Sequence, residues 1–153
     1  MIRPAAIHLM INTMPPALSV LTAVVLGVAV FWRSDDLKRF SMLLMIAVPL
    51  LIIPVYFTGR RSVREIGNLP GVSLELIGKH QETVIWTWTM ASVSGAAALV
   101  AFLRSRRSSV PTWVMGGLLL SSLTTDAFLI RTAHLGGQIR HPEVQERSTE
   151  SQE

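Results

Sequence analysis

The residues best equipped for chemistry are four histidines and one acid. The histidines are His8, His80, His134 and His141, and Asp126 stands alone inside the apolar run from Val110 to Ile130. Neutral imidazole ligates haem iron and transition metals. An ionised carboxylate in apolar surroundings is costly, so Asp126 must face the protein interior, find a partner or carry a proton. It could then serve a proton relay or a quinone pocket. Equally, it could hydrogen-bond with Thr124, Thr125 or another helix, or reach Arg131 through a bend. The chain contains no cysteine, which removes disulfides, iron–sulfur clusters, thiolate zinc sites and cysteine nucleophiles together. It also lacks a G-x-S-x-G elbow, an H-E-x-x-H zinc helix, a P-loop and a dinucleotide fingerprint. His80-Gln81-Glu82 has no second histidine at metalloprotease spacing. These absences argue against an enzyme acting on its own.

The elements that must position these residues are membrane helices. Of 153 residues, 50% are hydrophobic and 16% charged, and the charges cluster between long apolar runs instead of spreading along polar faces. Four spans follow, at about residues 5–32, 40–57, 82–103 and 110–134, each near the ~20 residues that cross a bilayer. A soluble chain this short has no shell to bury four such runs. Barrel strands would be shorter and alternate in polarity. The fold class is therefore all-α, an integral membrane four-helix bundle. Residues 1–142 form the membrane domain and 143–153 a polar tail, disordered unless a partner holds it. No removable signal peptide is evident at Met1-Ile2-Arg3-Pro4.

Short basic turns, Arg33 to Arg39 and Arg104 to Arg107, join spans one to two and three to four. The bundle thus consists of two antiparallel hairpins whose turns share one membrane face. An interfacial connector, 58–81, links the hairpins, with a turn and N-cap at Pro70-Gly71-Val72-Ser73. Pro15-Pro16 could begin the first span at a helix N-terminus or, the favoured reading, kink a longer helix starting near Ala5, and Pro54 should bend the second. Gly95-Ala96-Ala97-Ala98 and Gly116-Gly117 offer small faces for helix packing. The net charge of +4 is read as headgroup contact and topology, with no nucleic-acid partner. The basic turns favour the cytoplasmic side of the membrane. Arg60, Arg61, Arg64 and Lys79 in the connector pull the other way.

All four histidines fall opposite the turns. His8, His80 and His134 each lie roughly 27 or 28 residues from the middle of their own turn, at Asp36 or Arg107, about 40 Å along a helix. Three histidines at one level of a bundle are enough for one bis-histidine haem b. Gly136-Gly137 would let a flat ligand approach closely. Asn12, one turn after His8, and Gln138 would act in support, with Asp126 and Arg131 as further polar groups along a relay. His141 is the least suited ligand. Because polar residues are excluded from the spans, some clustering on this face follows from topology alone, and interfacial anchoring is the competing account.

Several of these residues stand in a recurring order: His8-x-x-x-Asn12-x-x-Pro15, Tyr56-Phe57-Thr58-Gly59, Leu69-Pro70-Gly71-Val72 leading to His80, and Ala133-His134-x-Gly136-Gly137. In this the chain resembles a family of small bacterial four-span membrane proteins of the domain-of-unknown-function type, over most of residues 7 to 143. The resemblance implies four helices in the inner membrane. That layout is similar to small membrane cytochrome b proteins, a likeness of fold and not of established reaction. Three functions compete. One is a haem b electron-transfer protein or subunit serving a quinone or another subunit. Another is a non-catalytic accessory subunit of a larger membrane complex. The third is ion or proton movement through Asp126 and the histidine layer.

Overall fold

A computed structural model of the chain describes residues 3–67 and 69–140. It contains five helices, α1 (Pro4–Ile11), α2 (Met14–Trp32), α3 (Asp35–Ile66), α4 (Leu74–Arg104) and α5 (Thr112–Arg140), and no strand among the described residues. By length and composition four stretches suffice to cross a membrane: Pro4–Trp32, comprising α1 and α2, then α3, α4 and α5 through Ile139. The protein is an all-α bundle of two antiparallel transmembrane hairpins. In cross-section α2 packs on α3 and α5, and α4 packs on the same two helices, so α2 and α4 lie on a diagonal. The short α1 packs on α3.

Polarity is distributed as lipid demands. Large apolar side chains such as Phe31, Val93 and Leu120 are exposed on the outside, whereas Ser19, Thr22, Ser41, Ser94, Ser122 and Thr125 are buried. With no water in the hydrocarbon core, the hydroxyls must be satisfied within the protein. Many of them donate one turn back to their own helix, as Thr22 does to the Leu18 carbonyl at 2.7 Å. The apolar core, with Leu26, Met42, Ala98 and Met115, lies toward the turn end.

Two details of the helices go beyond what the sequence specified. The first span, Pro4–Trp32, is interrupted at its prolines, with Asn12 and Thr13 between α1 and α2 keeping right-handed helical dihedrals. Pro15 and Pro16 have no N–H to donate to the carbonyls of Ile11 and Asn12, so α1 ends at Ile11 and α2 begins at Met14 with both prolines in its first turn. The second helix runs on beyond the apolar run that stops at Phe57, since α3 continues past Thr58-Gly59-Arg60-Arg61 to Ile66. Its extra turns have a load to carry. Glu65 Oε2 accepts the N–H of Ala5 at 3.3 Å, and Ser62 donates to the Thr58 carbonyl. The irregular part of the predicted connector thus shrinks to the residues between α3 and α4, where Ser73 caps α4 by accepting the Leu76 N–H.

Of the small residues, Gly95 is used as expected. A Cβ there would lie 3.0 Å from Pro49 and 3.4 Å from the Met45 carbonyl, so α3 and α4 touch through it. Gly116 and Gly117 face open space and pack against no helix.

At the turn end, Ser34 caps α3 and Arg33 takes a left-handed φ of 51°. Lys38 is buried, donating to Asp35 Oδ1 at 3.3 Å and to the Val110 carbonyl at 3.2 Å, and Arg39 donates to the Ser105 carbonyl at 2.9 Å. Both side chains reach from the first hairpin to the turn of the second.

Candidate functional site

At the opposite end, His8 projects from α1 onto α3. Its Nδ1 lies 3.1 Å from the Val55 carbonyl and 3.3 Å from Thr58 Oγ1. A carbonyl only accepts, so Nδ1 carries the proton. The Thr58 hydroxyl spends its own proton on the Pro54 carbonyl at 2.8 Å and can take a share of the same N–H. The ring reaches the helix because position 59 is glycine. A Cβ there would sit 2.9 Å from His8 Cε1 and 3.3 Å from Nδ1.

His80, on α4, repeats the arrangement on α5. Its Nδ1 donates to the Thr132 carbonyl at 3.1 Å, and a Cβ on Gly136 would lie 3.3 Å from its Cε1. Thr132 is itself fixed by Thr87, whose hydroxyl lies 2.8 Å from its own. In both cases an imidazole from the odd-numbered span donates to a carbonyl of the even-numbered one, and the residue four further along is a glycine. Both histidines are half-buried.

Nδ1–H donation to a backbone carbonyl leaves Nε2 with its lone pair outward, the tautomer and anchoring of a metal-ligating histidine. No described residue hydrogen-bonds either Nε2. Each ring nitrogen left in this way is of the kind that ligates haem iron. Gly136 thus faces the His80 ring, while Gly137 faces open space.

The other predicted residues separate from this pair. His134 is exposed, and its Nε2 is engaged by Gln138 Nε2 at 3.2 Å, so the third histidine of the layer is committed to its own helix. Asn12 is half-buried and donates its backbone N–H to the His8 carbonyl at 2.9 Å, closing α1. Arg131 is exposed and forms no ion pair with Asp126. Asp126 is buried beside Ser19 of α2, with Oδ1 sealed from solvent and without a hydrogen-bond partner. His141 and the tail lie outside the described residues. Among those residues no group of three or more histidines and acids could hold a bare metal ion.

Sequence reasoning missed the two carbonyl acceptors and the role of Gly59. Gly59 was visible as part of Tyr56-Phe57-Thr58-Gly59, at a depth comparable with Gly136. Pairing each histidine with the glycine at its own level in the next span would have found both modules. Comparison with protein-family models, with curated proteins and with solved structures gives no match to the chain.

Proposed function

We propose that this protein binds one haem b between His8 and His80 and acts as a membrane electron-transfer protein or subunit. The observation that carries the reading is the duplicated imidazole anchor, in which each Nδ1–H is held by a carbonyl of the neighbouring helix. Bound haem would supply one-electron redox chemistry, with a potential set by the axial ligands and the burial around them. The protein's own contribution is to fix tautomer and ring orientation at Val55 and Thr132, and to keep His134 out of the ligand set through Gln138.

Located at one end of the bundle, the site suits exchange of electrons with a membrane quinone or a partner subunit at that surface. The likeness in layout to small membrane cytochrome b proteins points the same way, and the reading takes the inner membrane of a bacterium as the setting. The test is the visible spectrum of protein made with ample haem and gently solubilised. A Soret band that shifts on reduction is expected, and a spectrum without one would refute the reading.

A further inference from the structure

The net charge of the chain collects at the turns, far from the histidines and independent of the haem reading. The two turns carry six basic residues, Arg33, Lys38, Arg39, Arg104, Arg106 and Arg107, against two acids, Asp35 and Asp36. The remainder of the chain has eight of each, so the whole net charge of +4 falls here. Folding then joins the two turns. Arg39 reaches across from the first hairpin and donates at 2.9 Å to the carbonyl of Ser105, a residue flanked by Arg104 and Arg106. Arg107 closes on the same turn, its backbone N–H bonded to the Arg104 carbonyl at 3.0 Å. Four arginines thus gather about one residue.

Their charge is not balanced within the protein. Of the two acids, Asp35 is held at 3.3 Å by the buried Lys38, and Asp36 sits in the first turn of α3, where the helix N-terminus offsets it. Arg104 and Arg107 are exposed, and among the described residues neither side chain makes an ion pair or a hydrogen bond. Arg106 lies over the Phe102 ring, 5.7 Å from its centroid, a contact that steadies the guanidinium without using its N–H groups. Arg39 has spent one donor of five. Exposed Phe31 and Trp32 precede the first turn, and exposed Trp113 follows the second. Aromatic rings so placed mark the level at which hydrocarbon gives way to headgroups. The anions abundant at that level are lipid phosphates, whose oxygens the guanidinium fork matches in pairs.

We infer that the joined turns bind the headgroup of an anionic phospholipid, its phosphate held by Arg39, Arg104, Arg106 and Arg107. Zwitterionic lipids carry the same phosphate, so net charge makes the selection. Their ammonium group would be brought beside guanidinium groups that no carboxylate balances, and repelled.

The test uses full-length protein in phosphatidylcholine vesicles, with trace spin-labelled phosphatidylglycerol or phosphatidylcholine. The fraction of each label immobilised on the protein gives the two association constants. Phosphatidylglycerol is expected to bind several-fold more tightly at low salt, and the preference shrinks as added salt screens the cluster. Each arginine near an anionic surface is worth roughly a fivefold factor, so Arg104→Gln together with Arg107→Gln removes most of the preference. Neither side chain takes part in joining the hairpins, and should the pair nonetheless unfold, Arg107→Gln alone lowers the preference in the same direction. Equal constants for the two lipids would overturn the assignment and leave the cluster to an acidic soluble protein. A preference that ignores salt, or that survives intact in the folded variants, would overturn it as well. The haem spectrum is unchanged in these variants, so failure here is distinguishable from failure of the haem site.

Discussion

The two ends of the bundle use their polar residues in opposite ways. At the turn end, Lys38 and Arg39 cross from one hairpin to the other and end on the carbonyls of Val110 and Ser105. Those donors are spent on holding the hairpins together. At the other end, His8 and His80 each bond within their own hairpin, and each keeps a ring nitrogen uncommitted. Contact between the hairpins there includes the ring pair of Tyr56 and Trp88, with centroids 5.3 Å apart. Within the bundle, one end is fastened by polar groups, and the other presents them.

The sharpest way to break this contrast is to remove a ring from the presenting end. His8→Ala and His80→Ala should each abolish the Soret band of haem-loaded protein, because one imidazole cannot complete a bis-histidine pair. Retention of the full band in either variant would remove that residue from the ligand set. At the fastened end, Lys38→Met should leave the spectrum intact but lower stability. It strands the buried Val110 carbonyl, a cost of about 1–3 kcal/mol, readable as a lower midpoint in thermal or denaturant unfolding. Loss of haem without loss of stability would invert the comparison.

Much of the fold was legible because lipid imposes strict rules on sequence. Four apolar runs bounded by Arg33 to Arg39, Arg60-Arg61 and Arg104 to Arg107 leave few alternatives to two hairpins. The ends of the helices were harder. Arg60 and Arg61 mark where hydrocarbon stops, but a helix need not stop with it, and α3 continues to dock α1 through Glu65. Pro15-Pro16 signalled a disturbance without saying whether the chain would bend or break. The histidine layer was visible from spacing, yet spacing gives depth and not direction. His134 shares the depth of His80, but it is turned outward and bonded to Gln138 one turn along. The hydroxyls of Ser19, Thr22, Ser94, Ser122 and Thr125 were hidden for a related reason: single Ser and Thr residues in apolar runs are common, and only the packing of the helices brings them together.

The glycines sharpen the comparison further. Gly59→Ala places a methyl group 2.9 Å from His8 Cε1, closer than real contacts allow, so the ring must rotate and surrender its bond to Val55. That bond is worth about 1 kcal/mol, and haem retention should fall visibly without being abolished. Gly136→Ala makes a contact of 3.3 Å with His80, which a shift of a few tenths of an ångström relieves. Titrating haem into both proteins and comparing their affinities should rank Gly59→Ala as the weaker binder. Equal affinities would mean that ring placement does not control binding.

The smallest effect is expected at His134, and its smallness is the informative part. This residue is of the same type and at a like sequence distance from its turn as the two proposed ligands, but it is exposed and bonded within its own helix. Replacing it by alanine removes an exposed bond to Gln138 and should change stability by less than about 0.5 kcal/mol, as exposed substitutions generally do. The Soret and reduced-band positions should match those of the wild type. A shifted or weakened band in His134→Ala would show that the ring turns inward when haem binds. The pair would then be chosen from three histidines, and the outward rotamer held by Gln138 would be only one of its positions.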